Sequence, residues 1–255
     1  MKKVPAHPRS RTARGFSLIE LLVTLAVVAI LSAILMPAFG NVRTMALRLM
    51  CQNNLRGIHV GLTAYASDHR AETLPDSMYT DEGRPQQLMA LSYADTAGDA
   101  SWDGLGKIGM GSNRYLDDRR TYFCPAHNAT HTIESQAAQF EPQVEVPLAG
   151  DTVYSNYHYW NDWNRRAQSR VAPGGRAMPH PGQEIWVTDG MRCRQDLNHR
   201  MGVNALRSDG GVTWLGDANL LARLRELPGE DRELAAKRQL ELFNSIVAAM
   251  SSSVR

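Results

Sequence analysis

The chain has 255 residues, 43% hydrophobic and 21% charged, a composition that suits one sizeable core or a core plus a separate N-terminal element. The formal net charge of +2 is unevenly placed: Lys2, Lys3, Arg9, Arg11 and Arg14 fall within the first fifteen residues with no acid among them, which leaves 23 basic against 26 acidic side chains in the remainder. That mildly acidic body excludes a nucleic-acid-binding class by composition, and three cysteines do not define a disulfide framework.

Phe16 to Met36 is an apolar run of 21 residues, the length a membrane-crossing helix needs. A secretory signal has a shorter apolar region that ends in a small-residue cleavage site, and here no cysteine follows to suggest a lipid anchor. One charge interrupts the run, Glu20, at its fifth position. An ionisable group in lipid is costly and calls for a partner. The basic cluster just before the run keeps that end in the cytoplasm and sends the rest of the chain out.

Gly15-Phe16-Ser17-Leu18-Ile19-Glu20, followed by Leu21-Leu22-Val23-Thr24-Leu25, resembles the prepilin signal of type IV pilins and type II secretion pseudopilins. The resemblance implies cleavage between Gly15 and Phe16 by a prepilin peptidase and N-methylation of the new Phe16 amine. It also implies that Glu20 pairs with the N-terminal amine of a neighbouring subunit during filament assembly. Physical reasoning agrees, since a buried carboxylate and a buried amine each lower the cost of placing the other in apolar surroundings. Pro37 stands where many members of the family have a helix-distorting proline.

Helical character continues from Asn41 to His69, where Leu55, Ile58, Leu62 and Tyr65 recur at steps of three, four and three. A single helix from Phe16 to about His69 is expected, its first half in lipid or a filament core and its second half against a sheet. Gly57 and Gly61 are read as close packing. Cys51-Gln52-Asn53-Asn54-Leu55-Arg56, Tyr65-Ala66-Ser67-Asp68 and Leu74-Pro75 resemble the pilin-like proteins of planctomycetes and verrucomicrobia. Their other mark, a His followed by nine residues and Asp-Gly, stands here as His199 and Asp209-Gly210, with Phe123-Cys124-Pro125 and Tyr154-Ser155-Asn156-Tyr157 in between.

The middle, Leu74 to Pro181, predicts loops with short strands and one helix near Gln86 to Tyr93. Glu184 to Thr188 reads as a strand ending in Asp189-Gly190. Gly202 to Ser208 and Gly211 to Leu215 read as a hairpin turning at Asp209-Gly210, a pair suited to a type I′ turn. The simplest role of that motif is therefore structural. After Asp217, the stripes Leu220, Leu224, Leu227 and Leu240, Phe243, Val247, Met250 predict two helices that cover the sheet or bind a partner, core packing being the favoured reading.

Sites for chemistry are few. Cys124, His127 and His131 have a spacing that zinc uses, but no fourth ligand is visible and the segment is a poor helix former. Asp189, Asp196 and Asp209 lack the spacing of a calcium loop. His199 with Asp209 could form a proton-transfer pair, yet no nucleophile accompanies them. The aromatic cluster Tyr157, His158, Tyr159, Trp160 and Trp163 is core or a binding surface. In an exported body one disulfide is permitted, and Cys51 with Cys124 is a candidate pair that the sequence alone does not choose.

The expected protein is α+β: a leader at 1–15, a membrane and assembly helix at 16–36, its extension at 37–72, an exported domain at 73–217 with a small antiparallel sheet, and a helical extension at 218–255. It is expected to be a structural subunit of a type IV pilus-like or pseudopilus-like filament rather than an enzyme, with no metal or cofactor. Its expected partners are a prepilin peptidase, other pilin-like subunits and the inner membrane, which it would cross once with its C-terminal domain in the periplasm or at the cell surface. The alternative is a membrane-anchored envelope module that binds a polysaccharide or protein and does not polymerise.

Overall fold

A computed structural model describes residues 16–69, 73–76, 89–94, 100–109, 114–128, 131–136, 152–160, 176–177, 184–191, 193–199, 201–229, 241–242, 245–246 and 248–250. The chain divides into two compact units at Met45/Ala46. Helix α1 spans Leu18–Asp68, 51 residues. In the first unit its apolar side chains are exposed on every face, Leu18 by 86% and Ile34 by 68%. Within this helix an 18-residue window has a mean hydropathy of 2.7 and no buried share, so it is long and apolar enough to cross a membrane.

In the second unit, α1 buries one stripe: Cys51, Leu55, Ile58, Leu62 and Ala66. The steps of four, three, four and four keep these residues on one face. That face meets a four-stranded antiparallel sheet in the order β4 (Tyr157–Tyr159), β6 (Ile185–Asp189), β7 (Val203–Arg207), β8 (Val212–Leu215). Two small antiparallel pairs stand beside it, β1 (Thr73–Leu74) with β5 (Arg176–Ala177) and β2 (Ser92–Ala94) with β3 (Ala100–Trp102).

The sheet is buried on both sides. Leu206, Val187, Trp186, Tyr157 and Tyr159 pack with the helix stripe. Val203, Ala205, Leu215 and Trp160 pack with the C-terminal segment. Strict alternation along β6 would separate Trp186 from Val187. A bulge between Ile185 and Val187 places both toward the helix. Trp186 there stacks on His59 of α1 with ring centroids 5.4 Å apart.

Helix α2 (Ala218–Arg225) is capped by Asp217, whose carboxylate accepts from Asn219 and Leu220 N–H at 3.0 Å. Its Leu220 and Leu224, with Leu227 beyond, are buried as the stripe predicts. In the last segment the buried described residues are Leu242, Ile246, Ala249 and Met250. Met250 of the expected stripe is thus buried, and its Leu240, Phe243 and Val247 lie outside the described residues.

Two further expectations change. The predicted helix near Gln86 to Tyr93 is, at its described end, a strand: Ser92–Ala94 pairs with Ala100–Trp102, and Leu91 N–H donates to Val153 O while Leu91 O accepts from Asp103 N–H. Partners distant in sequence override the local helical tendency there. The hairpin loop is longer than a type I′ turn. Arg207 N–H donates to Gly211 O, and Gly210 N–H donates to Arg207 O, at 2.9 and 3.0 Å, so the loop is Ser208, Asp209 and Gly210. A three-residue loop needs the left-handed conformation at one place, which Gly210 supplies with φ +81°. Asp209 favours this form by accepting from Gly211 N–H at 2.8 Å and pairing with Arg207.

Gly57 and Gly61 let the domain approach α1. A Cβ at Gly61 would lie 3.0 Å from Ile108 Cδ1, and one at Gly57 would lie 3.2 Å from Thr121 Cγ2. Close packing is therefore their role.

Candidate functional site

Two places carry the chemistry. The first is the start of α1. Ser17 precedes the helix and Glu20 is its third residue, so the spacing is that of a capping box. Glu20 Oε2 accepts from Ser17 N–H at 2.9 Å, satisfying one of the helix's unpaired donors. Phe16 is 79% exposed, and Gly15 lies outside the described residues. The carboxylate thus stands in the first turn, favoured by the helix dipole, beside the residue that a cut after Gly15 would make the N-terminus.

The second is a polar cluster at the seam between the extension of α1 and the sheet. Asp189, the last residue of β6, is fully buried. Its carboxylate accepts from Asn204 N–H at 2.6 Å, Asn204 Nδ2 at 3.0 Å and Asn198 Nδ2 at 3.3 Å. Burial pushes its pKa up to about 7, while those hydrogen bonds and the Arg48 charge hold it back. His199 Nε2 lies 3.9 Å from Asp189 Oδ2 and 3.8 Å from Cys124 Sγ. Burial, and then the Arg48 charge, push His199 down to about 4. Its ring meets Trp214 edge-on, and the Arg48 guanidinium lies 3.8 Å from the Trp214 centroid. Gln52 Nε2 donates to Asn204 Oδ1 at 3.0 Å, so Arg48 and Gln52 tie α1 to β7 and β8.

Cys51 and Cys124 are joined by a disulfide with a Cα–Cα distance of 5.1 Å, which closes the seam covalently. Asn156 positions the second cysteine: its Oδ1 accepts from Cys124 N–H at 3.2 Å and its Nδ2 donates to His131 O at 2.6 Å. A cleft of about 370 Å³ opens beside this loop, bordered by Arg120, Cys124, His127, Glu134 and Asn156.

The zinc spacing at Cys124, His127 and His131 does not form a site. Cys124 is in the disulfide, His127 Nδ1 bonds Asn198 Oδ1 at 3.0 Å, and the His131 ring packs against Tyr154. His199 has Asp189 as its carboxylate neighbour, whereas Asp209 serves the hairpin with Arg207. Asp196 sits in a separate short turn at Arg194–Asp196, 3.4 Å from Cys193 Sγ. Tyr157, His158, Tyr159 and Trp160 are buried, as in the core reading, and Trp163 lies outside the described residues. Sequence reasoning gave no role in the seam to Arg48, Asn156, Asn198 or Asn204. The available signal was Asn204 inside an otherwise apolar strand, a position asparagine rarely takes without a polar partner.

Residues 10–36 match the family model of the prokaryotic N-terminal methylation motif. The match covers Gly15, Phe16 and Glu20. No curated protein matches the chain, and no solved structure does. The chain thus carries a prepilin-type N-terminal signal, followed by an α+β body with a long helix, a four-stranded antiparallel sheet and short C-terminal helices.

Proposed function

We propose that the protein is a structural subunit of a type IV pilus-like or type II secretion pseudopilus-like filament. In this reading a prepilin peptidase cuts between Gly15 and Phe16 and methylates the Phe16 amine, and Glu20 receives the amine of a neighbouring subunit. The single observation that carries it is a carboxylate in the first turn of an apolar helix that is exposed on every face, at the start of a prepilin-type motif. Such a helix needs lipid or copies of itself around it, and a carboxylate there needs a cation. Before assembly the chain crosses the inner membrane once, with its basic N-terminus in the cytoplasm and its domain outside. The His-x9-Asp-Gly motif supports kinship with the planctomycete and verrucomicrobial pilin-like proteins. The reading assigns no catalytic residue.

The test is the intact mass and N-terminal peptide of the protein isolated from native membranes. A chain that begins at methylated Phe16 supports the reading. A chain that begins at Met1, or past Met36, overturns it in favour of an anchored or secreted binding module.

A further inference from the structure

We propose that Cys51, Cys124 and His199 form a redox-gated site for a thiophilic divalent cation, Zn²⁺ being the best fit, which the two sulfurs bind when reduced and exclude when joined as a disulfide. The two sulfurs and a ring nitrogen of His199 all lie within 4.8 Å of one another. They come from three separate parts of the chain: Cys51 from α1, Cys124 from the loop after the short helical turn Arg119–Tyr122, and His199 from the loop before β7. All three residues are buried.

The geometry is near that of a zinc site. Zinc holds sulfur at about 2.3 Å and imidazole nitrogen at about 2.0 Å in a tetrahedron, which puts such ligands roughly 3.5 Å apart. His199 Nε2 already stands 3.8 Å from Cys124 Sγ. Two supports hold this arrangement without the disulfide: Asn156 Oδ1 on Cys124 N–H, and Trp214 against the His199 ring. Breaking the disulfide lets the sulfurs separate to ligand spacing. Two thiolates and an imidazole select soft or borderline ions. With Zn²⁺ the thiolates and a neutral imidazole sum to zero charge, which a buried site requires. The fourth position falls to a neutral water molecule, with the Asp189 carboxylate 3.9 Å from the His199 nitrogen.

The electrons balance with a dithiol reductant. It gives two electrons and two protons to the Cys51–Cys124 bond and closes to its own disulfide, and the cation then displaces both thiol protons to solvent. The helix extension would stay stapled to the sheet in either redox state, through sulfur–sulfur or sulfur–metal bonds. This inference does not depend on filament assembly.

The test uses the full chain in detergent with Cys193→Ser, reduced by a phosphine and titrated with Co²⁺ as the probe. One equivalent should give thiolate-to-cobalt charge-transfer and tetrahedral ligand-field bands, which Zn²⁺ abolishes. The oxidised chain should give none. His199→Gln should weaken binding by at least roughly tenfold, with near-ultraviolet circular dichroism checking the fold and His199→Asn as the second variant. The inference is overturned by a reduced chain without thiolate–cobalt bands, by undiminished binding in either folded histidine variant, or by a reduced chain that unfolds and does not refold with Co²⁺.

Discussion

Asp189 and His199 sit 3.9 Å apart with pKa values displaced in opposite directions, to about 7 and about 4. Each displacement sets its own pH dependence in the disulfide-bonded protein. A carboxyl raised by the fold keeps a proton that the unfolded chain has lost, so its contribution is present below about pH 4 and is lost as pH rises to about 7. A histidine lowered by the fold does the reverse: its contribution is present above its ordinary value and is lost as pH falls through about 4. Between those limits the proton counts cancel, and wild-type stability should be nearly flat. His199→Asn should expose the Asp189 term, with the melting temperature falling as pH rises from about 4 to about 7. Asp189→Asn should expose the His199 term, with the melting temperature falling as pH drops over the same range. Equal slopes in both variants would contradict the assignment. A smaller effect is expected at Tyr122, whose buried hydroxyl has no hydrogen-bond partner among the described residues. Tyr122→Phe removes an unsatisfied group and should be neutral or stabilising by up to about 1 kcal/mol in denaturant titration.

The hairpin β7–β8 depends on one backbone conformation. Gly210 lies at φ +81°, and a Cβ there would lie 3.0 Å from the His59 ring of α1. Gly210→Ala should cost about 1–2 kcal/mol from the left-handed backbone alone. It should also weaken the contact of His59 Nε2 with Ser208 O, now 3.2 Å, which the histidine's chemical shift would report. This hairpin shows how far local signals reach. The existence of β6, β7, β8 and α1 was legible because short apolar runs bounded by Asp-Gly and three-four spacing are written in consecutive residues. The loop length was not, because it is set by the backbone register of Arg207 with Gly211, which the Asp-Gly pair alone does not specify. The polar seam was illegible for a similar reason: Arg48, Asn156, Asp189, Asn198 and Asn204 are scattered over more than a hundred residues, and only the fold brings them together. Asp189-Gly190 therefore read as a strand end, although the aspartate's main role is inside the seam.

At the scale of the whole molecule, the second unit is held across its seam by a covalent bond. The disulfide spans 73 residues and joins α1 to the sheet domain, so Cys51→Ser should destabilise the domain by about 2–5 kcal/mol in thermal or denaturant unfolding. That loss leaves the membrane segment untouched, and processing at Phe16 should proceed. Glu20 should behave in the opposite way. Its carboxylate caps the first turn through Ser17 N–H, an interaction worth about 1 kcal/mol. Glu20→Leu makes the helix more apolar, so insertion and cleavage between Gly15 and Phe16 should persist and the domain's unfolding midpoint should not move. What the variant lacks is the anion that makes a neighbour's N-terminal amine tolerable in apolar surroundings. The prediction is a correctly cleaved chain that stays in the membrane fraction, while wild type appears in the sheared-filament fraction. Immunoblots of the two fractions, with the N-terminal mass of each, distinguish the cases. Filaments built equally well by Glu20→Leu would leave the carboxylate with a capping role alone, and a variant left uncleaved would place it in recognition by the peptidase.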